Sequence, residues 1–301
     1  MIRSLDELMI KAKTVKGKKV VVIYPTNEET LAAVADGRKH GLADFILVGD
    51  EGIIKNKMGG KTPPGVEIVH EKSIGNAIQK SIEFIREGKG NVILKGGVDT
   101  GTMMKALLQE EAGIRTGKLL SDVCLIEVRE GKETRIIMVS DGGLTLAPEL
   151  KDKLDMIKNA VEVAHAIGFE NPKVAILSAI EFVNPNLQST VDAAILAKMN
   201  DRGQIKGCIV DGPLAFDNAM SVEAAAEKGI KSPVAGKADV LILPSLEAAN
   251  IFVKGITYYS GFPRAHVIMG ARIPILIPSR ADKSETKLRS IALGVIMSES
   301  N

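Results

Sequence analysis

Apolar runs of strand length alternate with amphipathic stretches along the whole chain. The runs lie at 18–25 (KKVVVIYP), 45–50, 66–71, 91–97, 135–141, 173–179, 206–213, 239–245, 266–270 and 274–279. Most are continuous rather than alternating, the pattern of strands covered on both faces. Between them, Asn27 opens a helical stretch that stops at Gly41, a polar start and a glycine stop. The stretch 148–168 puts Leu150, Leu154, Ile157, Val161, Ala164 and Ile167 on one stripe and ends at Gly168. Ser4 with Glu7 has the spacing of a capping box for a first helix.

This alternation predicts an α/β protein: two domains with mainly parallel sheets flanked by helices. The expected division is 1–138 plus 284–301 for the first domain and 139–283 for the second. The boundary falls where SDGGLTLAP interrupts the pattern, and a last helix over Ser284–Met297 returns to the first domain. On this division the second domain carries both DGP (211–213) and SRAD (279–282).

Composition narrows the function classes. Hydrophobic residues make up 45% of 301 residues, enough for a substantial core, but aromatics only 3% with no Trp. A surface of aromatic platforms for single-stranded nucleic acid is therefore not expected. The net charge is +2, from 39 basic and 37 acidic residues spread along the chain, so no basic field suits a phosphate backbone. Lys16–Lys19 reads as a solvated turn before a strand. Cys124 and Cys208 stand far apart in apolar runs and read as buried thiols without a disulfide or metal role. The start MIRSLDELMIKAK fits neither a signal nor a transit peptide, and no apolar run approaches the roughly 18 residues of a membrane span. The expectation is a cytosolic globular protein with neither a nucleic-acid nor a membrane partner.

Familiar site motifs are missing. No G-x-G-x-x-G occurs, and Gly60-Lys61-Thr62 lacks the first glycine of a phosphate loop and is followed by Pro63-Pro64. His40, His70, His165 and His266 are scattered and read as structural.

Four strand ends carry unusual chemistry, and the carboxyl ends of parallel strands are where such sheets bind ligands. The first is Lys95-Gly96-Gly97-Val98-Asp99-Thr100, where exposed amides and a lysine suit an anion, or where an ordinary turn leads into a helix capped by Asp99 or Thr100. Arg115 lies downstream in a loop that can serve the same anion. The second, Ser140-Asp141-Gly142-Gly143, fits either close approach to a ligand or a hinge. The third is Asp211-Gly212-Pro213 with Asp217, two carboxylates for ligand contact or, for Asp217, a helix cap. In the fourth, an apolar strand ends in Ser279-Arg280. The guanidinium offers a planar fork for a phosphoryl group and the hydroxyl a donor to an oxyanion; Asp282 and Glu285 bracket the next helix start.

With DGPLAFDNAMS, ADVLILPSLEAANIFVK and IPSRADKSETKLRSIALG in that order, the chain from Asp211 onward resembles the phosphate acetyl/butyryltransferase family. KGGVDT, SDGGLTLAPEL and the length point to its butyryl branch. The resemblance implies a two-domain fold related to isocitrate and isopropylmalate dehydrogenases, with a cleft between domains. It also implies homo-oligomers and reversible conversion of a short-chain acyl-CoA plus phosphate to acyl phosphate plus CoA. Transfer would be direct, in a ternary complex, with CoA and phosphate as substrates and no permanently bound cofactor or metal. It gives Arg280 the phosphate and Ser279 the transition state, and sets Asn250 and Lys254 near the cleft. The family's acetyltransferases carry a proposed base where this chain has Thr286. That departure leaves Glu285, Asp211, Asp217 and Asp282 as alternatives. Two competing readings remain: a metal- and NAD-dependent decarboxylating dehydrogenase of the same fold, and a non-catalytic CoA- or anion-binding protein.

Overall fold

The run KVVVI forms β1 (Lys19–Ile23), and its last four residues are buried, as a strand covered on both faces should be. A short helix, α1 (Leu5–Ala12), precedes it. β1 pairs in parallel with β2 (Asp44–Gly49) on one side and β4 (Val92–Lys95) on the other; β3 (Val66–His70) lies parallel beyond β2. Helices α2 (Glu28–Lys39), α3 (Glu51–Lys57) and α4 (Ile74–Arg86) make the crossovers, and α5 (Thr100–Leu107) follows β4. Each begins at a polar side chain that accepts an otherwise unpaired amide; Asn27 takes the Thr30 N–H at 2.7 Å. The computed structural model describes residues 1–131 and 133–299.

The chain then enters a second unit. β5 (Ser121–Glu130) and β6 (Glu133–Ser140) form an antiparallel hairpin in register from Cys124↔Val139 onward. After α6 (Leu150–Ala166) come β7 (Lys173–Leu177), α7 (Gln188–Asp201) and β8 (Ile209–Leu214). The short α8 (Phe216–Met220) and α9 (Val222–Glu227) then lead to β9 (Val240–Ile242) and α10 (Leu246–Gly255). β9 runs parallel between β6 and β7, and β8 closes the edge. The aliphatic core of this unit includes Ile126, Val139, Ala175, Leu241, Ala249 and Val253.

β10 (Arg264–Met269) and β11 (Ile275–Leu276) return to the first sheet. β11 is antiparallel to β10 and parallel to β4, with Ile275 beside Ile93 and Leu276 beside Leu94. α11 (Ser284–Met297) buries Ile291, Leu293, Val295, Ile296 and Met297. Gly294 lets the helix pack close, since a Cβ would stand 3.0 Å from the Val92 side chain and 3.1 Å from that of Leu276.

The two units are therefore a terminal one, Leu5–Lys118 with the segment from Arg264 onward, and a middle one, Met1–Ser4 with Leu119–Pro263. These limits differ from the expected 138/139 and 283/284. Residues 121–130 pair with β6 and so belong to the middle unit. Residues 264–276 pair through β11 with β4, so the SRAD segment lies in the terminal unit and not with DGP. Ser300 and Asn301, the end of the expected returning segment, lie outside the described residues. Among the described residues no helix is long and apolar enough to cross a membrane.

Candidate active site

In the terminal unit β1, β4 and β11 run parallel, so Ile23, Lys95 and the residues after Leu276 reach the same sheet edge. Ligands gather at such an edge because loops and helix starts converge there. β4 delivers Lys95, which is 5% exposed and donates to the Val98 carbonyl at 3.2 Å.

Of the two readings of the double glycine, the turn leading into a capped helix fits its hydrogen bonds. The Gly96 N–H donates to the Ile23 carbonyl at 2.9 Å and the Gly97 N–H to that of Tyr24 at 2.7 Å. These amides extend the ladder to β1 and are not donors held out to an anion. The reason for glycine is space: a Cβ on Gly96 would press on the Ile23 and Tyr24 carbonyl oxygens, and one on Gly97 on the Thr26 hydroxyl. Asp99 caps α5, accepting from the Thr102 N–H at 2.9 Å and the Thr102 hydroxyl at 3.2 Å. Thr100 is the first residue of that helix.

Charge brings the β4 and β11 ends together. Burial pushes the Lys95 ammonium below its ordinary pKa, and the positive charges of Arg280 and Lys287 push it the same way. The Thr102 hydrogen bonds hold the Asp99 carboxyl low, with the Arg280 charge adding to them. Ser279 and Arg280 themselves are exposed. The Ser279 hydroxyl accepts from the Ala281 N–H at 3.4 Å, which leaves its own proton free to be donated.

Beneath this turn lies a buried ionic network. The Asp282 carboxylate is 3% exposed, with one oxygen on the Arg264 guanidinium at 2.5 Å and the other on the Ser279 N–H at 2.7 Å. Lys287 donates to the carbonyls of Ser279, at 3.3 Å, and of Asp282. Asp282 is thus engaged on both oxygens. Glu285 is exposed on the first turn of α11, while the half-buried Thr286 accepts the Ser290 hydroxyl on its carbonyl. Arg115 is exposed and bridged to Ala271, and its neighbour Thr116 donates to the Gly270 carbonyl at 2.5 Å; this pins the loop to the segment leading into β11.

The remaining expected residues belong to the middle unit. Asp211 is half-buried and accepts the Gly212 N–H at 2.8 Å; Pro213 is buried, after a cis bond. Asp217 is exposed and 3.3 Å from Lys228, which also reaches Glu181. Asn250 donates to the Gly142 carbonyl at 2.9 Å, and Lys254, one turn on, is exposed. The double glycine 142–143 folds around a buried carboxylate. Asp141 accepts from the Asp122, Gly143, Leu144 and Thr145 N–H groups and from the Thr145 hydroxyl, all within 3.1 Å. Burial raises its pKa, and the Asp122 charge raises it further.

The histidines and cysteines are structural where their partners are defined. His165 is 2.7 Å from the Gly207 carbonyl, the His70 ring accepts the Glu51 N–H at 3.1 Å, and both cysteines are buried and free. Among the described residues no group of three or more His, Cys, Asp or Glu side chains is arranged to hold a metal ion.

Sequence reading overlooked Arg264, Lys287 and Glu29, the last of which accepts the Ser284 N–H at 2.6 Å. One signal was available: Lys287 sits one turn before Ile291 on the buried stripe of α11, an unusual place for an ammonium.

Lysine, arginine and a serine hydroxyl gather at this sheet edge, and comparison with known proteins gives the chain a family. A model described as "Phosphate acetyl/butaryl transferase" matches residues 61–295. Over 300 residues the chain is 44% identical to the phosphate butyryltransferase of Clostridium acetobutylicum, covering 99% of each. It is 41% identical to the phosphate acetyltransferase of Thermotoga maritima, over 96% of this chain and 98% of that one. Among solved structures, a branched-chain phosphotransacylase from Enterococcus faecalis superposes with a TM-score of 0.83 at 27% identity, over 94% of this chain and 99% of the other. The chain belongs to the phosphate acetyl/butyryl transferase family, and is an acyltransferase.

Proposed function

We propose that this enzyme moves a short-chain acyl group between the sulfur of CoA and inorganic phosphate, with butyryl and its branched relatives as the preferred acyl groups. The observation that carries it is that β4, which ends in Lys95, and β11, which leads to the Ser279–Arg280 turn held by Lys287, end side by side at one sheet edge. The Arg280 and Lys287 charges repel that of Lys95, and a dianionic phosphate or acyl phosphate relieves that repulsion. The acyl preference rests on relatives 44% and 27% identical, the one named for butyryl and the other for branched-chain transfer.

In the direction of CoA acylation, the thiolate sulfur attacks the carbonyl carbon of the acyl phosphate. The carbonyl oxygen becomes an oxyanion; as its electron pair re-forms the C=O bond of the thioester, the bond from carbon to the phosphate oxygen breaks and phosphate leaves with that bond's electron pair. Arg280 holds the phosphoryl oxygens and the Ser279 hydroxyl donates a hydrogen bond to the oxyanion, keeping its proton. Lys95 supplies further charge to the leaving phosphate. The thiol, with a pKa of about 8.5, is a few per cent ionised at neutral pH, so a modest base suffices. Glu285 is our choice for it, since Asp282 is engaged and Asp99 caps α5. Holding two substrates in one geometry supplies most of the acceleration.

The test is thiol release from acetyl-, propionyl-, butyryl- and isobutyryl-CoA with and without phosphate. Phosphate-dependent release, fastest with the four-carbon chains, supports the reading. Release from none of them rejects the reaction, and fastest release from acetyl-CoA rejects the chain preference.

A further inference from the structure

The exposed Ser279 and Arg280 side chains emerge from a turn whose main chain is held on every side by buried charge. The Ser279 N–H goes to the Asp282 carboxylate, and its carbonyl receives both the Asp282 N–H at 3.1 Å and the Lys287 ammonium at 3.3 Å. Lys287, 1% exposed, also donates to the Asp282 carbonyl. Arg264, its side chain 15% exposed, fixes the far side of the Asp282 carboxylate. Glu29 closes the start of α11 at Ser284 and places a second negative charge near Lys287.

Burying an ammonium, a carboxylate and a guanidinium together is a poor way to gain stability, since desolvating each ion consumes most of the attraction. An apolar trio would hold α11 to the sheet as well. What charge supplies here and an apolar trio cannot is direction. It fixes both main-chain groups of Ser279, and hence the orientation from which the hydroxyl and the next side chain leave the backbone.

We propose that Lys287, with the Arg264–Asp282 pair, is a positioning residue for acyl transfer: it acts through the Ser279–Arg280 turn and touches no substrate. The proposal rests on the acyltransferase reading above. A misplacement of about 1 Å at a reacting group costs on the order of 100-fold, so the effect is large and confined to what the turn contacts.

The test compares wild type with Lys287→Met and Asp282→Asn, at temperatures well below each variant's melting point. The expected result is a loss of roughly 100-fold in kcat/KM for phosphate, with KM for acyl-CoA within about threefold of wild type. A variant that melts earlier but keeps its kinetic constants, per mole folded, would overturn the proposal and leave Lys287 merely structural. An equal rise in KM for both substrates would overturn it too. Asp282→Asn nearly preserves shape and decides the matter if Lys287→Met does not fold. Should wild type release no thiol from any acyl-CoA, the acyltransferase reading fails first, and calorimetric titration with inorganic phosphate takes over. Binding by wild type that is at least tenfold weaker in the variants then supports the positioning role. Equal binding, or none by either protein, overturns it.

Discussion

Lys95 and Arg280, 185 positions apart in the sequence, follow from β4 and β11, which end side by side, and the Arg280 charge adds to burial in lowering the proton affinity of the Lys95 ammonium. Burial, with the Arg280 and Lys287 charges adding to it, lowers the Lys95 pKa, and on the proposed phosphate-binding role this sets a pH dependence. Lys95 is charged below its lowered pKa and neutral above it, so phosphate binding weakens as the pH rises through that value, below the ordinary 10.5. Phosphate KM measured across alkaline pH should rise accordingly. Lys95→Arg, whose guanidinium keeps its proton, should shift that rise to higher pH; an unchanged alkaline limb would remove Lys95 from phosphate binding.

Arg280→Ala should cost on the order of 100- to 1,000-fold in kcat/KM for phosphate, since a charged, forked contact to the transferring group is lost. Glu285→Gln should lower kcat by about 100-fold if it takes the thiol proton, and leave KM for phosphate alone. Steady-state kinetics on both variants checks this; a Glu285→Gln enzyme with full kcat would mean that the proton passes to solvent.

Gly96→Ala tests the reason for the double glycine. The added methyl meets two main-chain carbonyls, one of them 2.7 Å away, and neither belongs to a flexible group. A loss of about 1–3 kcal/mol in unfolding free energy is expected. Gly97→Ala, which meets chiefly the Thr26 hydroxyl, should lose less. Denaturant melts compare the two directly.

Asp141 should matter to stability. Asp141→Ala leaves four main-chain donors and the Thr145 hydroxyl without their acceptor, of which the Asp122 N–H is fully buried, at a cost of about 1–3 kcal/mol. The pH sign is opposite to that of a salt-bridged acid. Because its folded pKa is raised above the ordinary 3.8, the folded state holds the proton longer, and this carboxyl's contribution to stability falls as pH rises through the interval between the two. Melts of wild type and Asp141→Asn over mildly acidic pH read that difference.

Cys208 should stay unreactive. Burial pushes its thiol up to about 11, so it remains protonated at pH 8. A disulfide reagent should find almost no thiol in the native protein and both Cys124 and Cys208 in denaturant. Rapid native labelling would contradict the burial of these residues.

Much of the architecture was legible because it depends on local pattern. Continuous apolar runs gave parallel strands, and the last helix was placed at Ser284–Met297, where α11 lies. The β5–β6 hairpin was overlooked although Gly131 stands between two apolar runs, a turn signal of ordinary strength. That omission misplaced the unit boundary. At the site, Ser279, Arg280 and Lys95 stood out by residue type and position at strand ends. What the sequence hid was who bonds to whom across the sheet. Gly96 and Gly97 could be read as anion donors or as an ordinary turn until their amides were found on Ile23 and Tyr24. Asp282 was one of several alternatives for a base, and nothing in the sequence showed that Arg264 and the Ser279 N–H hold its oxygens. Pairings of this kind depend on long-range register, which no local spacing encodes.

The most direct test of the central claim follows phosphorus rather than sulfur. Purified enzyme, butyryl-CoA and inorganic phosphate are mixed and the phosphorus resonance spectrum recorded, beside the same mixture with Arg280→Ala. The account predicts a new acyl phosphate signal growing in step with free CoA in wild type, and far more slowly in the variant. Hydrolysis of butyryl-CoA without acyl phosphate, or equal rates in the two proteins, would contradict it.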